Sequence, residues 1–230
     1  CIQDIKPTSL IYLASDNNNN DSADFHISSE VNLFIPIKIL FLIKEINCDI
    51  KYIFLSSKLS NLDSNEYILY SLNKYFAEEY IQKFSNRFKI NSISIKLPTL
   101  FGPGDFSKKR LISSYIQSIL KNKKELIKDN LEKKITIVSS RIFARILMKN
   151  FLENEKNDFS KLLESVQIKT TIGDLLKIID LIHSSNYISK ERIDSINVIE
   201  NFNHIQNYEK LYSELSETYN FLNRNIHLIK

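Results

Sequence analysis

Short apolar runs alternate with longer helical stretches along the first hundred residues, and this alternation restricts the fold more than any other feature. The runs are Ser9–Ser15 (SLIYLAS), Tyr52–Leu55 (YIFL) and Ser92–Leu97 (SISIKL), the last of which is closed by Pro98. Apolar runs of this length between helices are typical of buried strands. Strands that alternate with helices predict βαβ units, in which helices cover both faces of a parallel sheet.

Two helical stretches separate these predicted strands. Ser28–Ile46 carries apolar residues at about helical spacing, and Tyr67–Phe88 is a longer amphipathic segment. Polar stretches without periodicity predict a loop at Asp16–Asp24 and a linker at Asn61–Asn65. The order is therefore strand, helix, strand, helix, strand.

The second half of the chain is mostly helical by its periodicity. After a tight turn at Phe101–Asp105, the predicted helices are Leu111–Leu126, Ser140–Leu152, Thr171–Ile182 and Tyr208–Leu222. One strand, Lys134–Val138, lies among them, and Glu153–Asp158 is a charged linker. This change after Asp105, from alternating strands and helices to mostly helices, predicts a second structural region.

Composition excludes several classes of protein. Of 230 residues, 43% are hydrophobic and 25% are charged, which excludes a disordered chain. The net charge of +4 is spread without blocks, so no nucleic-acid partner is expected. Cys1 and Cys48 are too few for a disulfide framework or a zinc site, and we expect no metal and a cytoplasmic location. The apolar stretch Val31–Ile43 is shorter than the ~20 residues of a membrane span, so no membrane helix is expected.

A tyrosine and a lysine share one face of the second predicted helix. Tyr70 and Lys74 are four positions apart. An ammonium close to a phenol favours the phenolate by charge, so such a pair can exchange a proton near neutral pH. The preceding strand ends in Ser56 and Ser57, and ligands bind at the carboxyl ends of parallel strands. The spacing alone is common on solvated helix faces, whereas the ordered combination favours catalysis.

Several sequence pieces occur in a fixed order along nearly the whole chain. They are IYLAS at Ile11–Ser15, Asn32, KYIFLSS at Lys51–Ser57, YSLNKYFAE at Tyr70–Glu78, IKLPTLFGPGD at Ile95–Asp105 and TIGDLLKIIDLI at Thr171–Ile182. Together they resemble the extended short-chain dehydrogenases/reductases, in the branch of NAD-dependent epimerases and dehydratases.

The resemblance implies a particular α/β fold. It is an incomplete Rossmann-like doubly wound parallel sheet with a small, mostly helical C-terminal substrate-binding part. Residues 1–105 would form the C-terminal portion of the NAD(P)-binding domain and residues 106–230 the substrate-binding region. Within the latter, residues 134–152 would return to the Rossmann sheet.

The resemblance also assigns roles to individual residues. Tyr70 would be the acid/base, and Lys74 would hold the nicotinamide ribose and favour the tyrosine anion. Ser57 would orient the substrate oxygen, with Ser56 as the less favoured alternative. Tyr67 competes weakly with Tyr70, because it has no lysine four residues further on. The resemblance places Ala14 and Pro98 beside the cofactor, and Leu100 and Gly102 beside the substrate.

The implied reaction is a hydride transfer between NAD or NADP and a nucleotide-activated sugar. The pattern leaves open whether the enzyme is an epimerase, a dehydratase or a reductase. It also leaves open which sugar nucleotide is bound. Members of the family often dimerise through two helices, which here would be residues 35–46 and 67–88.

The chain departs from the family pattern in three places. The glycine-rich loop that receives the pyrophosphate is absent, since the first glycine is Gly102. Lys96 replaces the usual arginine, and Ser139-Ser140 stands where an aspartate is usual. We therefore expect a fragment of a longer enzyme. The alternative is a catalytically inactive, truncated member or partner subunit that cannot bind a dinucleotide alone.

Overall fold

The computed structural model divides into two units, Cys1–Pro98 and Thr99–Lys230. It describes residues 5, 7–16, 25–46, 49–60, 62, 68–123, 130–151, 159–185 and 208–228. Several predictions fall outside these residues: those for Cys1 and Cys48, most of the loop at 16–24 and of the linker at 61–65, Tyr67, and the linker at 153–158.

The first unit contains a parallel sheet, which confirms the predicted fold class. Its strands are β1 (Ser9–Tyr12), β2 (Lys51–Ser57) and β3 (Ser92–Leu97), paired in that order and all parallel. The central strand β2 buries Tyr52, Ile53 and Phe54 completely, so both of its faces are covered. The prediction placed the end of β1 at Ser15, three residues too late. The strand predicted at Tyr52–Leu55 was expected to end in Ser56 and Ser57, and β2 does include both serines.

A helix with an irregular turn connects β1 and β2. It consists of α1 (Phe25–Ser29), a π-helical segment (Glu30–Phe34) and α2 (Ile35–Ile46). The Ile35 N–H donates to the Glu30 carbonyl, five residues earlier. Pro36 has no N–H to reach the Val31 carbonyl, and the Tyr12 hydroxyl donates to that carbonyl at 2.7 Å instead. A phenol from β1 thus stabilises the irregular turn.

By length and composition alone, the stretch Phe25–Ile46 is apolar enough to cross a membrane, alone among the described helices. The core helix of a soluble protein passes the same test. Leu40 and Ile43 are buried in the core of the first unit, together with Tyr52 and Ala77. One face of the stretch therefore packs into this core, while only 33% of its most apolar window is buried. The cytoplasmic location stays a prediction.

The third helix of the first unit is α3 (Ile68–Phe88), whose predicted first residue, Tyr67, lies outside the described residues. Its residues Ala77 and Ile81 join the core, and α3 contacts both β2 and β3. Each fully buried large apolar side chain stabilises the unit by about 1.5–3 kcal/mol. The helix that carries the tyrosine–lysine pair is therefore fixed against the sheet.

The second unit contains a mixed sheet. Its strands are β4 (Thr99–Phe101), β5 (Lys134–Ser139) and β6 (Ile168–Thr171), with β5 parallel to β4 and antiparallel to β6. Its helices are α4 (Leu111–Leu120), α5 (Ser140–Phe151), α6 (Phe159–Val166), α7 (Ile172–Ser185) and α8 (Tyr208–Arg224), followed by a 3-10 turn (Ile226–Leu228). The core joins α4, α7 and α8 to the sheet.

Sequence reasoning made three local errors in this unit. It extended α4 to Leu126, but the helix ends at Leu120, and Asn122 follows with φ of 53°, a left-handed conformation typical of helix ends. It placed Phe101 in a turn, although Phe101 pairs with Ser139 in the sheet. It missed α6 and β6, which are too short to show a clear period.

The domain boundaries stay predictions. The two units divide after Pro98, whereas we expected the boundary after residue 105. The predicted segment 134–152 corresponds to β5 and α5, and β5 pairs with β4 and β6.

Candidate active site

The structure buries the predicted lysine at the core of the first unit. Lys74 is 1% exposed, and its Nζ donates a hydrogen bond to the Leu55 carbonyl of β2 at 3.0 Å. The same Nζ lies 4.8 Å from the centroid of the Phe54 ring and 6.0 Å from that of Tyr70. The helical spacing of four residues thus brings the ammonium over the tyrosine ring, against the end of the central strand.

Burial changes the protonation of this lysine. Removal from water lowers the pKa of Lys74 to about 8, and the nearby charge of Glu78 acts in the opposite direction. The side chain is therefore mainly charged at pH 7, but it loses its proton at moderately alkaline pH. Lysines used in catalysis have pKa values tuned in this way.

The tyrosine keeps its polar atom available. Tyr70 is half-buried on α3, and its hydroxyl makes no hydrogen bond with any residue that the structure describes. A polar tip on a largely packed side chain can donate to, or accept from, a bound molecule. Tyr70 and Lys74 are thus brought together as predicted, while the acid/base role stays a prediction.

The two serines at the end of β2 differ in their partners. Ser57 Oγ accepts from the Leu59 N–H at 3.1 Å, and the Ser57 carbonyl accepts from the Ser60 N–H at 3.0 Å. Ser56 Oγ is buried and has no hydrogen-bond partner among the described residues. Strand alternation puts Ser56 on the face of Phe54, the ring that Lys74 contacts. The preference for Ser57 over Ser56 stays a prediction.

Sequence reasoning missed a polar network beside these serines. Glu78 is 9% exposed; its Oε1 accepts from Ser60 Oγ at 2.7 Å, and its Oε2 lies 3.1 Å from Lys96 Nζ. Lys96 Nζ also donates to the Ser60 carbonyl at 3.3 Å. The signal was present in the sequence, because Glu78 follows Tyr70 and Lys74 at the same spacing of four residues.

Asn32 holds the segment that follows β1. Its Oδ1 accepts from the Asp16 N–H and from Ser15 Oγ, both at 3.2 Å, and its Nδ2 donates to the Asp16 carbonyl at 2.9 Å. Asn32 is completely buried, whereas Ala14, just before this segment, is exposed. The amide therefore fixes the backbone next to a residue that we expect to contact a cofactor.

The remaining predicted residues lie on either side of the division between the units. Pro98 is buried and ends the first unit. In the second unit, Leu100 is half-buried in β4, and Gly102 lies so close to the start of α5 that a Cβ would come within 2.2 Å of Ser140 Oγ. No larger residue fits at Gly102 without a shift of its neighbour. The binding roles of these residues stay predictions.

A buried carboxylate lies beside Ser139, one of the two serines that stand where the family pattern usually has an aspartate. Glu214 of α8 accepts a hydrogen bond from the Ser139 hydroxyl and pairs with Arg141 at 3.0 Å. Arg141 also pairs with Glu217, which is half-exposed. The carboxylate thus comes from a distant helix and not from the end of β5. Among the described residues, no group of three His, Cys, Asp or Glu side chains is placed to hold a metal ion.

A parallel sheet with serines at the end of its central strand and a tyrosine–lysine helix packed on it defines a Rossmann-like class of protein. A model of the NAD dependent epimerase/dehydratase family matches residues 1–158. The chain therefore belongs to this family. A comparison with curated protein sequences gave no match.

Solved structures share the fold over almost the entire chain. The UDP-glucose 4-epimerase of Thermotoga maritima, solved with UDP-glucose, is 16% identical, with a TM-score of 0.71 over 98% of this chain and 81% of that one. The UDP-N-acetylglucosamine 4-epimerase of Methanobrevibacter ruminantium is 16% identical, with a TM-score of 0.72 over 97% and 80%. The UDP-glucuronic acid 4-epimerase of Bacillus cereus, solved with NAD, is 13% identical, with a TM-score of 0.70 over 97% and 77%. At these identities the likeness shows the fold.

Proposed function

We propose that this protein is a nicotinamide-dependent enzyme that acts on a nucleotide-activated sugar, with Tyr70, Lys74 and Ser57 at its active site. The observation that carries the proposal is the buried Lys74 ammonium, held between the Tyr70 ring and the end of β2. Family membership supports the reaction class, which is epimerisation or dehydration. The 4-epimerases of similar fold favour epimerisation and a UDP-sugar.

The residues of the first unit fit one end of the cofactor. Lys74 has three N–H donors, and its one observed hydrogen bond, to the Leu55 carbonyl, leaves donors for a ribose hydroxyl. Ala14 and Pro98 would line the nicotinamide pocket. The first glycine is Gly102, so residues 1–101 contain no glycine-rich loop for the pyrophosphate. The proposal covers both NAD and NADP, of which the similar structures solved with NAD or NADH favour NAD.

The protein's own residues move a proton. The bound nicotinamide would supply the hydride chemistry at a sugar carbon. The positive charge of Lys74 would favour the Tyr70 phenolate, which would take the proton from the sugar hydroxyl as the hydride leaves. Tyr70 would then be neutral until it returns the proton together with the returning hydride, which restores the phenolate. Ser57 would donate its hydroxyl hydrogen to the same sugar oxygen, because its oxygen already accepts from Leu59. Leu100 and Gly102 would contact the substrate.

We also propose a homodimer through α2 and α3. Aromatic side chains follow one another across these helices: ring centroids are 6.0 Å apart for Phe41 and Tyr80, 5.7 Å for Tyr80 and Phe84, and 4.4 Å for Phe84 and Phe88. Phe41, Tyr80 and Phe88 are each at least 38% exposed. An exposed apolar stripe of this kind is typical of a protein–protein interface. Tyr80→Glu should convert a dimer into a monomer in sedimentation velocity.

The test of the enzyme is Tyr70→Phe in the protein as its own cell produces it, assayed with NAD and a UDP-sugar. The variant keeps the ring over Lys74 and loses only the hydroxyl. We expect kcat to fall at least ~100-fold, the usual size of a positioned acid/base group. Unchanged turnover would overturn the role of Tyr70. Absence of both activity and NADH binding in the wild type would favour the alternative, a catalytically inactive member of the family.

A further inference from the structure

Three residues from three different elements form a closed set of polar contacts beside the end of β2, in which Lys96 reaches Ser60 through its backbone carbonyl. Glu78 comes from α3, Lys96 from β3, and Ser60 from the turn that follows β2. Each of them contacts both of the others, at 2.7, 3.1 and 3.3 Å. A closed arrangement of this kind fixes the relative positions of all three elements, because no member can move without breaking two contacts.

The single hydroxyl hydrogen of Ser60 has two acceptors at equal distance. Ser60 Oγ lies 2.7 Å from Glu78 Oε1 and 2.7 Å from the Ser57 carbonyl. The Ser57 carbonyl also accepts the Ser60 N–H, so it has a partner without the hydroxyl. Hydrogen bonds to a charged acceptor are the stronger ones, so the hydroxyl serves Glu78. The carboxylate therefore holds the turn through Ser60.

We propose that Glu78 is a positioning residue, which locks the turn that carries Ser57 onto the helix that carries Tyr70 and Lys74. The position of the turn determines the orientation of Ser57, because the Leu59 N–H within the turn donates to Ser57 Oγ and so sets the direction of that hydroxyl. Lys96 of β3 adds a contact to each of the other two residues, Glu78 and Ser60. The inference rests on the proposed function, in which Ser57 orients the substrate oxygen.

The first test measures amide hydrogen exchange in the full chain without cofactor or substrate. Glu78→Gln keeps the shape of the side chain and removes the charge that Lys96 and Ser60 contact. We expect exchange at the Leu59 and Ser60 amides to become about tenfold to a hundredfold faster, while amides in the middle of β2 stay protected. Ser60→Ala removes the hydroxyl that contacts Glu78 and should give the same local increase in amide exchange, even if Glu78→Gln folds poorly.

The chain offers a matched control on the same helix. Glu79 is adjacent to Glu78 and forms an exposed ion pair with Lys83 at 3.3 Å. Glu79→Gln removes the same charge and should leave exchange at Leu59 and Ser60 unchanged. Equal effects of the two variants on these amides would overturn the proposal. A uniform rise at every protected amide of the first unit would overturn it as well, because that pattern reports global stability.

The second test separates positioning from folding through kinetics. In Glu78→Gln we expect kcat to fall about tenfold, with KM for the sugar nucleotide nearly unchanged. A displaced Ser57 hydroxyl would lose its hydrogen bond to the substrate oxygen mainly in the transition state, so substrate binding would change little. Lys96→Arg keeps the positive charge and should retain activity. Absence of activity in the wild type would overturn the proposed function, whereas the exchange measurement would still decide whether Glu78 positions the turn.

Discussion

The two units differ in how they pair one buried ionisable side chain, Lys74 in the first unit and Glu214 in the second. In the first unit, Ser56 Oγ has no partner among the described residues, and the buried Lys74 ammonium has one hydrogen bond. In the second unit, the buried carboxylate of Glu214 has both a hydroxyl and a guanidinium donor, and the Nε of that guanidinium is itself buried without a partner among the described residues. Incompletely paired polar groups cost stability and retain hydrogen-bonding capacity for a ligand. From this comparison we expect Lys74 to matter more for activity than for stability, and Glu214 to matter mainly for stability.

The largest expected effect tests the second unit. Glu214→Ala leaves the Ser139 hydroxyl and part of the Arg141 guanidinium without their acceptor, so we expect the free energy of unfolding to fall by about 3 kcal/mol. Glu217 pairs with the same arginine but is half-exposed, so Glu217→Ala should cost less than about 1 kcal/mol. Denaturant titration of both variants makes the comparison. Similar losses would show that Glu214 has no special role.

The second prediction concerns Lys74, where stability and activity should change in opposite directions. Its pKa of about 8 lies below the unfolded value of 10.5, so charge on the buried amine lowers the free energy of unfolding. This destabilisation is fully present below pH 8 and disappears as the pH rises to 10.5. Lys74→Met removes that cost, and at pH 7 we expect a gain of about 1–3 kcal/mol in unfolding free energy. The same variant should lose activity about 100-fold or more. A destabilised variant would contradict this account of Lys74.

Sequence reasoning found the three strands of the first unit, β5, the long helices and the tyrosine–lysine pair, because each has a local signature. Spacing of four residues specifies that Tyr70 and Lys74 share a face, whatever the rest of the chain does. It could not find Lys96 or Ser60 as partners of Glu78, because those contacts join elements that are distant in sequence. The carboxylate near Ser139 was missed for the same reason, since Glu214 lies in another helix.

The third prediction uses the protonation of Lys74. If the charged amine is the active form, kcat/KM should be level below pH 8 and fall up to tenfold per pH unit above it, because the amine loses its proton there. The residual activity of Lys74→Met should lack this alkaline decline. A decline that survives in Lys74→Met would assign it to another group. Lys74 would then be a buried amine without the proposed role in the reaction.

The smallest effect is expected at Ser56, and it decides which serine serves the substrate. The Ser56 hydroxyl is buried without a partner among the described residues, so Ser56→Ala removes a desolvation cost and loses little packing. We expect unfolding free energy to stay within about 1 kcal/mol of the wild type and kcat to be unchanged. Ser57→Ala should lower kcat about tenfold or more, because it removes the donor to the substrate oxygen. If Ser56→Ala instead gives the larger loss of kcat, the unpaired hydroxyl on the Lys74 face is the one that binds substrate.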